Sequence, residues 1–211
     1  MSKTVIFANG DLSTQNIDLP NGTIVIAADG GIRHCLKMKI KPHVIIGDFD
    51  SADNDALSLV ERNGAKLIQY PTDKNETDLE LAINYAIEKG ANNITLYGLL
   101  GGRWDMSIAN ILLLASPAYQ AVNFRVICGN IEFFIVRGGK SLTIHGNPGD
   151  TVSVIPLSPQ PTGITYAGLT WSLENATLPF GSPRGVSNCL IKEKATLRLN
   201  SGVILVCLSH Y

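Results

Sequence analysis

The sequence lacks the charge excess and the long apolar runs that mark several common classes of protein. Its 17 basic and 18 acidic residues give a net charge of −1 and a pI near 6.4, whereas nucleic-acid-binding and membrane-surface proteins carry a basic excess. No apolar run approaches the roughly 20 residues that a membrane-spanning helix needs. We therefore expect neither a nucleic-acid partner nor a membrane partner.

Cysteine is scarce and scattered along the chain. The four cysteines form no C-x-x-C pair, so a structural zinc site and a disulfide framework are both disfavoured. The first residues, MSKTVIFANGD, lead directly into a short apolar segment, without the apolar region or cleavage site of a secretory signal. Both features predict a cytoplasmic protein.

Two nucleotide-binding motifs are also missing. There is no G-x-x-x-x-G-K-[ST], which excludes an ordinary P-loop, and no G-x-G-x-x-G follows the first apolar segment. The chain does have 45% hydrophobic and only 17% charged residues. That composition predicts a substantial folded core and disfavours disorder.

The first two thirds of the chain alternate short apolar runs with helical patterns. The runs are β-branched and apolar throughout, which is typical of parallel strands covered on both faces. Thr77-x-x-Glu80 is a capping box and predicts a helix from Asp78. Two further helices are predicted, over 53–63 and 105–114. The candidate strands are Thr4–Ala8, Thr23–Ala28, Val44–Ile46, Lys66–Tyr70, Ile94–Tyr97 and Phe124–Cys128.

The pattern changes near Arg137-Gly138-Gly139. Beyond it, short strands such as 142–144, 151–157, 195–199 and 203–208 are separated by turn residues, with no convincing helix. We therefore predict an α/β N-terminal domain with a mainly parallel sheet flanked by helices, residues 1–137. An all-β sandwich or barrel domain, residues 138–211, follows it.

The segments after the predicted strands are rich in glycine and acid. Ligands of an open parallel sheet bind beyond the carboxyl ends of its strands, so these loops are expected to converge on one cleft. The loops contain Asp29-Gly30-Gly31, Gly47-Asp48-Phe49-Asp50-Ser51, PTDKNETD with Lys74 and Asp78, and GLLGGRWD with Gly101, Gly102, Arg103 and Asp105.

These loops combine the groups that phosphoryl transfer requires. Converging carboxylates such as Asp48 and Asp50 repel each other unless a cation lies between them, and hard oxygen ligands suit Mg²⁺. Glycine lets backbone N–H groups approach phosphate oxygens, while Arg103 and Lys74 can neutralise phosphate charge. The combination indicates phosphoryl-type transfer from a nucleotide. Asp53, by contrast, is interpreted as a helix-start residue.

The order of these loops resembles that of the thiamine pyrophosphokinases. The matching motifs are ADGG at 28–31, GDFDS at 47–51, DKNETD at 73–78 and GGRWD at 101–105, and GLTWSL at 168–173 and GVSN at 185–188 resemble the thiamine-side segments. The resemblance implies that the α/β domain, residues 1–137, is an ATP- and magnesium-binding catalytic domain and that the β-sandwich, residues 138–211, binds thiamine. It also implies Mg²⁺-dependent transfer of diphosphate from ATP to thiamine, giving thiamine diphosphate and AMP. A homodimer with sites at the subunit interface is implied as well.

The resemblance also implies residue roles. Asp48, Asp50 and Asp78 would hold Mg²⁺ or position the attacking hydroxyl, and Asp105 would join them as a catalytic residue. The ATP phosphates would be bound by Asp29, Gly30, Lys74, Gly101, Gly102 and Arg103. Thiamine would face Ser187, Asn188 and Trp171, although a tryptophan in a β-domain is commonly part of its core.

Two positions depart from the family pattern. Met106 stands where histidine is common, and Asn75 stands where a second acid is usual. Neither change removes the principal acids, so activity is still expected. Two alternatives remain open: a diphosphokinase acting on another hydroxymethyl acceptor such as a pterin, and a thiamine- or nucleotide-binding module without catalysis.

Overall fold

The chain folds into an α/β unit and an all-β unit. The computed structural model describes residues 3–14, 17, 19–50 and 54–211, and for residues 54–56 it describes the backbone alone. The first unit comprises Met1–Leu113 and Ala121–Gly129, and the second comprises Leu114–Gln120 and Asn130–Tyr211. The predicted fold class, α/β followed by all-β, is confirmed.

A parallel sheet forms the centre of the first unit. Its strands lie in the order β6-β5-β1-β2-β3-β4, and every neighbouring pair is parallel. Ile6, Ile26 and Ile45 are fully buried, as expected for strands covered on both faces. The predicted strand bounds agree within one residue at each end. The strands are β1 (Thr4–Phe7), β2 (Ile24–Ala28), β3 (Val44–Gly47), β4 (Lys66–Gln69), β5 (Asn93–Tyr97) and β6 (Asn123–Cys128).

The helices of the described chain are α1 (Ile32–Lys37), α2 (Asn54–Arg62), α3 (Asp78–Glu88) and α4 (Trp104–Ala115). The predicted capping box is confirmed, because Thr77 Oγ1 accepts a hydrogen bond from the Glu80 N–H at 3.2 Å. Helix α1 was not predicted, since it has six residues and no side-chain cap. Asp53, the predicted start of α2, lies outside the described residues. Across those residues, every helix is too short or too polar to cross a bilayer.

Two antiparallel sheets form the second unit. Their strand orders are β12-β9-β14-β7 and β11-β10-β13-β8. Val154 and Val206 of the first sheet and Ile164 and Leu197 of the second share one buried apolar cluster, which makes the unit a sandwich. The strands are β7 (Ile131–Arg137), β8 (Ser141–His145), β9 (Thr151–Pro156), β10 (Ile164–Ala167), β11 (Leu173–Ala176), β12 (Asn188–Cys189), β13 (Lys194–Arg198) and β14 (Val203–Ser209).

The sandwich contains strands that the sequence did not predict. β7, β10, β11 and β12 were missed, whereas residues 138–211, all of them described, form no helix, as predicted. β7 precedes the predicted boundary between residues 137 and 138 and pairs along its full length with β14. The boundary at that position stays a prediction.

Candidate active site

A cavity of about 600 Å³ lies at the carboxyl edge of the parallel sheet. Its walls come from the loops after β1, β2 and β5 and from the first turns of α3 and α4. The chain proceeds outward from β1 to β4 and then returns to place β5 on the other side of β1. Such a reversal of strand order opens a crevice at the carboxyl ends of the two central strands, which is where open α/β sheets bind ligands.

The loop after β1 is held closely against the loop after β5. The Gly10 N–H donates to Gly98 O at 2.7 Å, and the Asp11 N–H donates to Leu100 O at 2.6 Å. A Cβ atom added at Gly10 would lie 2.3 Å from Leu100 O, so this approach of two backbones requires glycine. The crevice floor here is therefore closely packed main chain, with the N–H groups of Gly10 and Asp11 bonded to the loop after β5.

Helix α1 fixes the same loop from the other side. His34 Nε2 lies 2.8 Å from Gly10 O, and Arg33 Nη2 donates to Asn9 O at 2.7 Å. Burial lowers the pKa of His34, although the bond to Gly10 O opposes this shift. The imidazole is therefore neutral near pH 7, and since a carbonyl can only accept, Nε2 carries the proton.

Three carboxylates meet at one end of the cavity. Asp29, Asp48 and Asp78 each offer an oxygen within 4.8 Å of the other two, and all three side chains are partly buried. They follow β2, β3 and β4 respectively, with Asp78 reached through the start of α3. The sheet register thus brings together acids that are far apart in sequence.

Lys74 lies between two of these acids. Its Nζ is 3.2 Å from Asp48 Oδ2 and 3.1 Å from Asp78 Oδ1, and its side chain is only 11% exposed. Asp48 Oδ1 also accepts the Asp50 backbone N–H at 3.2 Å. The Asp50 residue itself is exposed, and in the described chain it is not a member of the group of three acids. We call Asp29, Asp48, Asp78 and Lys74 the acidic cluster.

The pKa values of Asp48, Asp78 and Lys74 are shifted, and the two acids are shifted in opposite directions. The hydrogen bond from the Asp50 N–H is the main cause that lowers the pKa of Asp48; burial opposes it, and the Lys74 ammonium adds to the lowering. Burial raises the pKa of Asp78, because desolvation outweighs the attraction of Lys74. For Lys74 desolvation opposes the charge, yet hydrogen bonds to Asp78 and Asp48 raise its pKa overall. Lys74 is therefore a fixed cation at neutral pH.

The donor set fits a hard divalent cation. Asp29 Oδ1 is buried and has no hydrogen-bond partner among the described residues, an unfavourable state that a cation would relieve. Carboxylate oxygens grouped in this way suit Mg²⁺, which takes one or two carboxylates and completes its shell with water and phosphate. Sequence reasoning assigned Asp29 to phosphate binding, whereas its position makes it a candidate metal ligand beside Asp48 and Asp78.

The Gly-Gly-Arg loop occupies the exposed side of the crevice. Gly101 and Gly102 line the cavity, as does Arg103. Arg103 forms a two-point ion pair with Asp105, through Nε to Oδ1 at 3.2 Å and through Nη2 to Oδ2. The two side chains are 74% and 64% exposed. Each residue is thus available to a ligand but is bound to the other in this structure.

The three predicted thiamine-side residues form one local arrangement in the second unit. Asn188 is buried and forms two hydrogen bonds with the main chain of Trp171. Its Oδ1 accepts the Trp171 N–H at 3.0 Å, and its Nδ2 donates to Trp171 O at 2.6 Å. The Trp171 side chain is 63% exposed, so the alternative that it belongs to the β-domain core is wrong. Ser187 is exposed, with its N–H bonded to Ser153 Oγ.

Several cavity residues were missed by the sequence analysis. Asn9 and Asp11 flank Gly10 in a glycine–acid loop of the same kind as the recognised ones, so the signal was available. Ser107 and Asn110 face the cavity from α4 with the helical spacing of three residues. No sequence pattern pointed to Arg33, because helix α1, on which it lies, was not predicted.

The fold and the site together define a class of protein. An open parallel sheet that places grouped carboxylates, glycine turns and basic side chains at its switch point is the arrangement of a phosphoryl-transfer enzyme.

Comparison with known proteins gives the particular family. Residues 19–127 match the family model of the thiamin pyrophosphokinase catalytic domain, and residues 141–204 match that of the thiamin pyrophosphokinase vitamin B1 binding domain. The chain is 29% identical to thiamine pyrophosphokinase from Bacillus subtilis over 184 residues, 87% of this chain and 86% of that one. This chain belongs to the thiamin pyrophosphokinase family.

Solved structures agree with this assignment. The crystal structure of thiamine pyrophosphokinase from Bacillus subtilis superimposes with a TM-score of 0.86 at 27% identity, covering 99% of each chain. That of a thiamin pyrophosphokinase family protein from Enterococcus faecalis gives 0.85 at 26% identity, again over 99% of each chain. Both units therefore have the fold of this family.

Proposed function

We infer that this chain is a thiamine diphosphokinase, which transfers the terminal diphosphate of ATP to thiamine. The hydroxyl oxygen of thiamine attacks the β-phosphorus, the bond from that phosphorus to the oxygen bridging the α- and β-phosphates breaks, and AMP leaves. The observation that carries this inference is the acidic cluster beside a glycine-lined crevice, in a chain that matches both family domains. A nearby carboxylate accepts the hydroxyl proton.

We propose that Mg²⁺ is the cofactor, held by Asp48 and Asp78 together with Asp29, and with Asp50 close by. When bound, the ion offsets the charge that develops on the phosphate oxygens. The support is the grouping of three carboxylates and the buried Asp29 oxygen. Lys74 shares the oxygens of Asp48 and Asp78, so it holds these two acids in position.

The crevice main chain and its basic side chains account for the proposed ATP contacts. Gly30 and Gly102 would offer N–H groups to the phosphates, and Gly101, whose N–H donates to Ser107 Oγ, would allow their close approach. Arg103 offers a planar fork. Asp105, paired with Arg103, orients that fork and is proposed as a catalytic acid alongside Asp48, Asp50 and Asp78. The Lys74 ammonium already contacts Asp48 and Asp78. We therefore propose that Lys74 acts on the phosphates indirectly, by positioning these two metal-binding acids.

We propose that Ser187, Asn188 and Trp171 contact thiamine. An exposed indole suits the cationic thiazolium ring, and the buried Asn188 amide fixes the main chain that carries this indole. The test is Trp171→Ala, which should raise the KM for thiamine and leave the KM for ATP unchanged. An equal rise in both KM values would count against this contact.

A homodimer with sites at the subunit interface is proposed as well. Helix α4 supports this, because Trp104, Ile108 and Leu112 recur every four residues and remain 77%, 55% and 51% exposed. Such an apolar stripe is typical of a contact surface. Sedimentation should give about twice the 22.7 kDa chain mass, and Ile108→Glu should shift it toward the monomer. A wild-type monomer would refute the proposal.

A cytoplasmic location is proposed on the state of the cysteines. Cys35, Cys128, Cys189 and Cys207 are all free thiols, which fits a reducing compartment. Fractionation of cells that produce the protein would test this. Recovery outside the cytoplasmic fraction would contradict it.

The inferred activity is tested with purified protein, ATP, Mg²⁺ and thiamine, scoring AMP and thiamine diphosphate together. Equal amounts of both products are expected, and their formation would show that Met106 and Asn75 are tolerated. AMP or ADP without thiamine diphosphate would mean that the acceptor is wrong. Binding of thiamine without turnover would instead indicate a module that does not catalyse.

A further inference from the structure

We propose that Arg33 is a substrate-binding residue that contacts the phosphates of ATP, a role that rests on the function inferred above. Arg33 lies on α1 at the wall of the cavity. Three properties of Arg33 favour this role: the partners of its charge, the way its guanidinium is held, and the position of the loop beside it.

Arg33 differs from the other basic side chains near the site in its partners. Lys74 contacts Asp48 and Asp78, and Arg103 is paired with Asp105. Within the described residues Arg33 contacts no carboxylate, and its bonds go to neutral carbonyls. It therefore brings a positive charge to the cavity that no acid of the described chain offsets by direct contact.

The guanidinium is already oriented for a ligand. Nη2 donates to Asn9 O at 2.7 Å and to Gly10 O at 3.3 Å, which anchors one corner of the fork. Nε and Nη1 have no hydrogen bond among the described residues. A guanidinium with one anchored nitrogen and other donors available can bind a phosphate oxygen with little loss of side-chain freedom.

The loop beside Arg33 packs against the Gly101-Gly102 turn, which is proposed to contact phosphate. Gly10 packs against Gly101, since a Cβ atom on Gly101 would lie 3.2 Å from Gly10 Cα. Arg33 and His34 both bond to Gly10 O, so the cation and the glycine turns keep a fixed relation. Asp29 and Asp78 also line this cavity, and a polyphosphate entering beside them needs added positive charge.

A purely structural role makes a different prediction. If Arg33 only braces the loop after β1, its loss should disturb the whole crevice and weaken adenosine and ATP alike. If it binds phosphate, the loss should appear only with ligands that carry phosphate. Comparison of a ligand series therefore separates the two roles.

The experiment measures binding of adenosine, AMP, ADP and a non-hydrolysable ATP analogue by calorimetry with Mg²⁺ present. The variants are R33Q, R33K and, as a matched control, K37Q, which removes the same charge from an exposed position of the same helix outside the cavity wall. We expect R33Q to weaken the ATP analogue about 10- to 100-fold, the usual effect of a hydrogen bond to a charged group, with adenosine unchanged. R33K should recover part of this loss, and K37Q should match the wild type.

The outcomes are distinct. Equal weakening of adenosine and the ATP analogue, or no weakening of either, would overturn the phosphate role while leaving the inferred activity intact. Failure of the wild type to bind the ATP analogue would overturn the inferred function and the Arg33 role together. Thermal unfolding checks each variant, and if R33Q does not fold, R33K alone gives the comparison because it keeps the charge and loses the fork.

Discussion

The acidic cluster and the Arg103–Asp105 pair use the same chemical groups in opposite surroundings. Lys74, Asp48 and Asp78 have side chains 11%, 13% and 23% exposed, whereas Arg103 and Asp105 are 74% and 64% exposed. In the cluster burial competes with charge pairing, and for Asp78 burial prevails and raises its pKa. In the exposed pair the Arg103 partner lowers the pKa of Asp105 instead.

The difference shows that contact geometry alone does not determine how much an ion pair contributes to stability. Exposed pairs contribute little to stability, because water and salt screen them and because two long side chains must be ordered. Partly buried pairs are screened less, and removal of one partner leaves the other charge poorly solvated. We therefore expect substitutions in the cluster to affect both stability and catalysis, and substitutions in the exposed pair to affect ligand binding and catalysis with no measurable effect on stability.

The largest effect is expected from loss of a cluster carboxylate. Asp48→Asn removes a proposed metal ligand at constant size and should lower kcat/KM by roughly 100- to 1,000-fold, the range seen when electrostatic stabilisation of a transition state is lost. Formation of AMP and thiamine diphosphate is the measurement. Asp73→Asn, an exposed acid in the loop before α3, is the control and should keep full activity. Near-normal turnover by Asp48→Asn would refute the metal role.

Loss of the cluster cation should reduce stability. Lys74→Met leaves Asp48 and Asp78 facing each other, and we expect the free energy of unfolding in chelator to fall by about 1–3 kcal/mol, below the value for a fully buried pair. Added Mg²⁺ should recover part of this loss, because an ion that binds only the folded state stabilises it. Denaturant unfolding with and without Mg²⁺ measures both quantities.

The control for this prediction is Lys192→Met, which removes an exposed charge in the second unit. It should unfold as the wild type does. If Lys74→Met were as stable as this control, the contrast between buried and exposed ion pairs would fail for this protein.

Within the cluster, two acids should respond to pH in opposite ways. The lowered pKa of Asp48 means that its contribution is present above its unfolded pKa and is lost as pH falls through the folded value. The raised pKa of Asp78 means that its contribution is present below its unfolded pKa and is lost as pH rises through the folded value. Ionised Asp78 therefore costs stability at neutral pH.

Thermal unfolding in chelator tests these signs. At pH 7, Asp78→Asn should raise the Tm and Asp48→Asn should lower it, each on the order of 2 °C for a chain of this size. Both differences should shrink as the pH falls toward the range in which carboxylates protonate. A lower Tm for Asp78→Asn at pH 7 would show that its pairing with Lys74 outweighs its burial.

The smallest effect on stability is expected at the exposed pair. Arg103→Gln and Asp105→Asn should leave the Tm unchanged within error, because both side chains are exposed. Arg103→Gln should still raise the KM for ATP, since it removes the proposed fork. An unchanged KM, or a Tm loss as large as that of Lys74→Met, would remove the distinction between the two regions.

Local sequence signals predicted the regular elements of the first unit well. The six parallel strands and the start of α3 follow from apolar runs and from the Thr77 cap, which act over a few residues. Signals failed for short elements and in the turn-rich second unit, and β7 was missed despite its seven residues. Helix α1 has six residues, and β12 has two, so neither shows a periodicity.

The sequence predicted only part of the site, because its signals act over a few neighbouring residues. Asp48 and Asp78 were found because each follows a clear strand in a glycine- or acid-rich loop. Asp29 was assigned to phosphate, since nothing local shows that its carboxylate lies within 4.8 Å of theirs. Arg33 was not found at all, because its place at the cavity depends on α1.

The sequence by itself determined the class of fold, the family and the chemical types gathered at the carboxyl edge of the sheet. These follow from patterns of neighbouring residues and from motifs in a fixed order. Only the tertiary structure decided which acids meet, that Lys74 lies between two of them, and that Arg103 remains exposed with Asp105. The physical reason is that convergence and burial depend on strand order and packing, which bring together residues that no local pattern connects.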